Sequence, residues 1–161
     1  MSETDSALDS LHDAYAGDYD RQCEEYGCYI ADLVFGLSYQ QVVLGQVLLD
    51  IGIGTGLSAA PFARAGLRVH GMDFSEDMLA ICERKGIAES LIRHDLQVMP
   101  WPVEPGQFDW VISVGVFHFI PNLDAIFHQV REALRQGGGF AFTTKLPRSA
   151  LLPGQRWQQE T

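Results

Sequence analysis

The chain has 161 residues, a formal net charge of −10, and 47% hydrophobic and 20% charged side chains. Its length predicts one globular domain with a sizeable core, and its acidity argues against a phosphate-rich partner such as nucleic acid, which needs a basic surface. No apolar run approaches the ~20 residues of a membrane span, and no basic-then-apolar leader opens the chain, so a cytoplasmic location and no membrane partner are expected. Three cysteines, Cys23, Cys28 and Cys82, are odd in number and lack paired spacing. That fits a reducing compartment and makes a zinc site unexpected.

Residues 1–10 are polar and predicted to fray. Residues 11–36 carry apolar side chains at helical spacing (Leu11, Tyr15, Tyr19, Tyr26, Ile30, Leu33), and Gly17, Gly27 and Gly36 divide them into two short helices. Asp and Glu crowd residues 1–25 against a single base, Arg21. They read as a solvated helix face, or as a surface that draws a cationic substrate. Residues 47–50 form an apolar strand ending in an acid, Asp50, followed by Gly52, Gly54 and Gly56. A helix follows to Ala65 with Gly66 as its C-cap, and Pro61 marks a kink or a restart. A second strand spans 67–73. A helix capped by Ser75, with Glu76 and Asp77 in its first turn, runs to Lys85 and stops at Gly86. Residues 90–94 are the third strand, 99–105 a proline-rich loop and 108–116 a fourth strand with an apolar run suited to burial on both faces. Asn122 caps a helix to Arg135, Gly137–Gly139 turn the chain, and 140–144 form the fifth strand. Strands alternating with helices at these spacings predict an α/β fold: a doubly wound, mostly parallel five-stranded sheet under a helical N-terminal cap.

The glycine bend after the first strand lets a ligand approach the backbone closely. The acid beside it indicates which ligand. A dinucleotide's pyrophosphate would be repelled by a carboxylate there, whereas S-adenosylmethionine carries a sulfonium and an ammonium. The third glycine also arrives one position too early for G-x-G-x-x-G. Together these oppose a nicotinamide-dependent oxidoreductase. The D-x-G-x-G-x-G pattern of Asp50, Gly52, Gly54 and Gly56 resembles the first motif of the class I S-adenosylmethionine-dependent methyltransferases, of the small-molecule type. It opens an ordered series of matches from about residue 40 to residue 145.

Asp73 ends the second strand about twenty residues on, where an open parallel sheet places an acid for ribose hydroxyls. The resemblance implies that role. With Ser75, Phe74 and Met78 match the family's D-x-S-x-x-M pattern and would flank adenine. Asp95 resembles the acid that, with the backbone N–H of Leu96, reads the adenine edge. Trp101 reads as a packing anchor. The resemblance implies that the backbone at Ser113 and Val114 holds the methionine ammonium, with Asp50 completing that end. His118, in Phe117-His118-Phe119-Ile120-Pro121, matches the family stretch after strand four. It is the candidate general base, or else a packing residue. The Tyr19-Asp20 pair resembles the family's N-terminal cap, with Tyr19 the tyrosine expected to touch cofactor. Tyr15, Tyr26 and Tyr29 would join it in a lid, or pack as a stripe on the sheet. No metal is implied.

The expected organisation is a cap over 1–38, a cofactor-binding core over 39–145 and a tail over 146–161. The resembled fold has seven strands, and the prolines of the tail oppose a long central strand there. The fifth strand is then expected to be an edge, with one of three outcomes: a truncated or disrupted product, an edge covered by the tail, or an edge paired in a homodimer. The implied function is methyl transfer to a small-molecule acceptor, the alternative a non-catalytic module that binds S-adenosylmethionine or S-adenosylhomocysteine with a truncated acceptor region.

Overall fold

Every residue of β1 (Val47–Ile51) is buried, because this strand lies at the centre of a five-stranded parallel sheet of order β3-β2-β1-β4-β5. The computed structural model describes residues 18–145; Tyr15, the expected frayed end and the expected tail lie outside them. The other strands are β2 (Arg68–Asp73), β3 (Ser90–Arg93), β4 (Phe108–Ser113) and β5 (Leu134–Phe142). Asp50 sits opposite Gly71 of β2 and Ile112 of β4. The parallel doubly wound sheet expected from the alternating pattern is therefore observed.

Side chains alternate along β1 between two cores. Leu49 and Ile51 join Met72, Val111 and Phe117 on one face, under α5 (Asp124–Ala133). Leu48 joins Phe62, Val69 and Cys82 on the other, beneath α2 (Ile30–Ser38), α3 (Ala60–Arg64) and α4 (Glu76–Lys85). The N-terminal α1 (Tyr19–Glu25) precedes α2, and Gly27 stands in the turn between them, as expected. Gly36, expected to break a helix, lies inside α2. Tyr26 and Tyr29 are 82% and 69% exposed, so neither packs on the sheet as a stripe would.

Several boundaries differ from the sequence reading. The helix after the glycine bend begins only at Ala60, and Pro61 lies in its first turn, where a missing N–H costs nothing. Strand β4 ends at Ser113, because Gly115 takes a φ of 78° and its N–H donates to Thr143 Oγ1 at 2.8 Å. Helix α5 ends at Ala133, and Asn122 Oδ1 accepts from Asp124 N at 2.9 Å ahead of its first turn. The glycines at 137–139, expected to be a turn before the strand, lie inside β5. Phe108 pairs with Leu134 but Trp110 pairs with Gly139, so residues 135–138 bulge opposite Asp109. Arg135 pins the bulge by a forked bond to Asp109, at 2.8 and 2.9 Å. Gly139 is required because a Cβ there would lie 2.4 Å from the Trp110 ring.

Ser75 caps α4 as expected, its Oγ accepting from Met78 N at 3.3 Å. Among the described residues β5 stands at one edge of the sheet. No helix among the described residues is long and apolar enough to cross a membrane.

Candidate functional site

The strand order reverses between β1 and β4, and the carboxyl ends of the strands beside such a reversal are where open parallel sheets bind ligands. Asp50 lies near the end of β1, Asp73 closes β2 and Ser113 closes β4. The glycine bend joins these ends. The N–H groups of Gly52 and Ile53 both donate to the Met72 carbonyl, at 2.7 and 3.0 Å, laying the bend over the end of β2. Gly54 N donates to Asp73 Oδ2 at 2.8 Å, and Ser75 N to Asp73 Oδ1 at 2.9 Å. Asp73 thus ties the bend to the head of α4.

The three glycines have φ of 80°, 54° and 88°. A Cβ on Gly52 would fall 2.3 Å from Val116 Cγ2, and one on Gly56 would fall 2.8 Å from Ile87 Cδ1 and 2.9 Å from Cys82 Sγ. A Cβ on Gly54 would meet nothing within 4 Å. The outer glycines are thus required by packing, while the middle one faces open space.

Asp50 is 0% exposed. Its Oδ2 accepts from Ser58 Oγ at 2.5 Å, but its Oδ1, equally buried, has no hydrogen-bond partner among the described residues. Burial pushes this carboxyl up from 3.8 to about 7; the Ser58 bond opposes the rise, and the charge of Asp73 adds to it. A buried, unpartnered carboxylate oxygen is costly. It suits a cationic donor that would fill the missing bond and favour the charged form.

The remaining sequence candidates lie around this bend or along the same sheet edge. Phe74 is half-exposed, and its carbonyl accepts from Arg93 Nε at 3.1 Å. Met78 is buried in the first turn of α4. Asp95 is exposed two residues beyond β3, its Oδ1 accepting from Gln97 N at 2.9 Å. Leu96 is buried and its carbonyl accepts from Trp101 Nε1 at 3.0 Å, so Trp101 is the packing anchor its loop position implied. Ser113 Oγ donates to the Ile51 carbonyl at 3.0 Å, and the Ser113 carbonyl accepts from Thr143 N at 3.0 Å; both polar groups are engaged in bracing β1 and β5. Val114 is half-buried against the core below α2 and α3. His118 is exposed in a short turn of 3₁₀ helix, its ring centroid 3.9 Å from that of Phe119. Partial burial lowers its pKa, and the Lys145 charge lowers it further. Tyr19 is half-buried on α1.

Two features escaped the sequence reading. Ser58 is the partner of Asp50, eight residues away across the bend. The cap is fastened to the bend through Asp20, which accepts from Thr55 Oγ1 at 2.5 Å and pairs with Lys85, while Lys85 Nζ also donates to the Thr55 carbonyl at 2.9 Å. The signal for the first half was present in the Tyr19-Asp20 pair; nothing local marked Lys85.

A glycine bend carrying a buried acid at the reversal of a parallel sheet lies where doubly wound folds hold their ligands. Residues 49–142 match the family model described as a methyltransferase domain, and the chain belongs to that family. It is 34% identical over 103 residues to phosphoethanolamine N-methyltransferase 2 of Caenorhabditis elegans, covering 62% of this chain and 24% of that one. It is 30% identical over 131 residues to the fatty-acid O-methyltransferase of Mycolicibacterium smegmatis, covering 79% and 47%. Among solved structures, one from Methanococcus maripaludis shares the fold with a TM-score of 0.69 at 17% identity, over 81% of this chain and 62% of that one. The Haemonchus contortus phosphoethanolamine N-methyltransferase 2, solved with phosphomonomethylethanolamine and S-adenosylhomocysteine, aligns at 31% identity and a TM-score of 0.55, over 66% and 27%. The chain thus spans between about a quarter and about half the length of these curated relatives.

Proposed function

We propose that this chain binds S-adenosylmethionine at the glycine bend and serves methyl transfer to a small-molecule acceptor. The observation that carries the reading is the buried Oδ1 of Asp50, without a partner among the described residues, on the bend whose Gly54 faces open space. The first would accept from the ligand's ammonium, directly or through a water, and the second would let the ligand lie against the backbone. S-adenosylmethionine, when bound, supplies a methyl group already activated on a sulfonium, so the protein's work is positioning and exclusion of water.

In this reading Asp73 accepts from the ribose hydroxyls while its backbone bonds hold it rigid. Phe74 and Met78 flank the adenine by packing. Asp95 and the backbone N–H of Leu96 read the adenine edge. Gly52 and Gly56 keep the bend seated on its neighbours, and Ser113 and Val114 line the route to the transferring methyl. Tyr19, on the cap that Asp20 fastens to the bend, closes over the ligand. His118 accepts the acceptor's proton; its lowered pKa keeps the imidazole neutral near pH 7. No metal takes part.

The proposed organisation is a cap over 1–38, the cofactor-binding core over 39–145 and a tail over 146–161. We place the chain in the cytoplasm with no nucleic-acid partner, which its net charge of −10 supports. The edge of β5, with Phe127 and Phe142 38% and 41% exposed beside it, supports self-association through that strand.

The test is transfer of labelled methyl from S-adenosylmethionine to a fractionated small-molecule extract, with Asp50→Asn as control. Label entering a low-mass fraction with the native chain and not with the variant supports the reading. Saturable binding of S-adenosylmethionine with no label in any fraction would instead establish a non-catalytic binding module.

A further inference from the structure

Cys23 and Cys28 have no spacing that marks them as a pair, yet the fold brings them together. Helix α1 ends at Glu25, and Gly27, with a φ of 63°, reverses the chain as a left-handed cap residue. The reversal carries Cys28 back over the last turn of α1, so that Cys28 N donates to the Cys23 carbonyl at 2.8 Å. Burial pushes the Cys23 thiol up; the side chain of Tyr19, one turn earlier, opposes the rise and that of Cys28 adds to it. Both cysteines are free thiols, Cys28 exposed and Cys23 half-buried. The remaining cysteine, Cys82, is wholly buried beneath the glycine bend.

We propose that Cys23 and Cys28 form a reversible thiol–disulfide site in the cap, oxidised by exchange with a low-molecular-weight disulfide. The exposed Cys28 reacts first. Its thiolate attacks one sulfur of the small disulfide, forming a mixed disulfide and expelling one small thiolate. The Cys23 sulfur then attacks Cys28 Sγ, forming the internal bond and expelling the second small thiolate. The two protons lost by the cysteines end on the two small thiols, so the protein is oxidised by two electrons and the small disulfide reduced by two. The backbone bond already holds the two residues beside each other across the turn, the closeness a bridge requires. The product is a covalent ring across the hinge between α1 and α2, next to the helix that Asp20 fastens to the glycine bend. In a reducing compartment such a bond is transient, as redox-responsive disulfides are. The proposal stands independently of what binds at the bend.

The test exposes the reduced full-length chain to oxidised glutathione and follows intact mass with peptide mapping, beside Cys23→Ser, Cys28→Ser and Cys82→Ser. The native chain and Cys82→Ser should each lose two hydrogens, retain no glutathione and return to the starting mass with dithiothreitol. Cys23→Ser should stop at one glutathione, held on Cys28, and Cys28→Ser should acquire neither an internal bond nor a rapid adduct. Persistence of a glutathione adduct on the native chain would overturn the proposal. So would pairing through Cys82, or an adduct forming on Cys28→Ser as fast as on Cys23→Ser.

Discussion

If the bend receives S-adenosylmethionine as proposed, Asp50 should make that binding depend on pH, with a sign and size that follow from its surroundings. Burial, reinforced by Asp73, pushes its carboxyl up to about 7 in the free protein. About half the molecules therefore hold it neutral at pH 7, and about a tenth hold it ionised at pH 6. A ligand ammonium beside Oδ1 favours the ionised form, so only that fraction is competent to bind, and the apparent dissociation constant rises as the fraction falls. Between pH 7 and pH 6 the affinity for S-adenosylmethionine should drop about fivefold, with release of a proton on binding that grows toward one. The ligand's own amine stays protonated in this window, below an α-amino pKa of about 7.7. Calorimetry at both pH values, in two buffers of different ionisation enthalpy, reads the affinity and the proton together. Asp50→Asn should flatten both. An affinity that does not change between the two pH values, or a slope retained in Asp50→Asn, would refute the reasoning. The same shift bears on folding. The folded-state pKa lies above the ordinary value, so the folded chain binds more protons than the unfolded chain between pH 3.8 and about 7. Its contribution to stability is complete below that window and is lost as pH rises through it, amounting to roughly 4 kcal/mol.

Three further outcomes follow. Gly54→Ala should cost about 1–2 kcal/mol of stability for its left-handed backbone, and abolish binding because the new methyl fills open ligand space. Gly56→Ala should cost about 1–3 kcal/mol more, since its Cβ must displace Ile87 and Cys82; chemical denaturation with parallel titrations separates the two. Lys85→Met removes an ion pair whose partners are only about a third exposed, worth about 1 kcal/mol. It should raise amide exchange across α1 while leaving the sheet protected, and unchanged exchange would mean the cap is held elsewhere. His118→Gln should leave S-adenosylhomocysteine affinity unaltered and remove the acidic limb of the transfer rate, which in the native chain lies below pH 6.5 because partial burial and Lys145 lower the imidazole pKa. A limb that survives in the variant assigns the proton to another group.

Where a feature of the fold depends on neighbours in sequence, the sequence disclosed it. The alternation of strands with helices, the Ser75 cap and the presence of a glycine bend were each written in local pattern, even though distant residues seat the bend. The bulge in β5 was hidden because its glycines read locally as a turn; only the Trp110 ring on the adjacent strand requires one of them. The short α3 was overextended because the bend runs on through Ala59 before Pro61 can open the helix. At the site, Asp50 and Asp73 were legible from their strand ends, but the partners that define their chemistry were not. Ser58 meets Asp50 only after the chain doubles back, and Asp20, Thr55 and Lys85 come from three separate segments. Cys23 and Cys28 meet only because Gly27 reverses the chain.

The central claim is that a buried carboxylate at a glycine bend receives a cationic nucleoside. Titration of the full-length chain with S-adenosylmethionine, beside Asp50→Lys shown to be folded by circular dichroism, tests it most directly. Saturable one-to-one binding by the native chain and none by the variant are expected. Equal affinity in both, or no binding by the folded native chain, would contradict it.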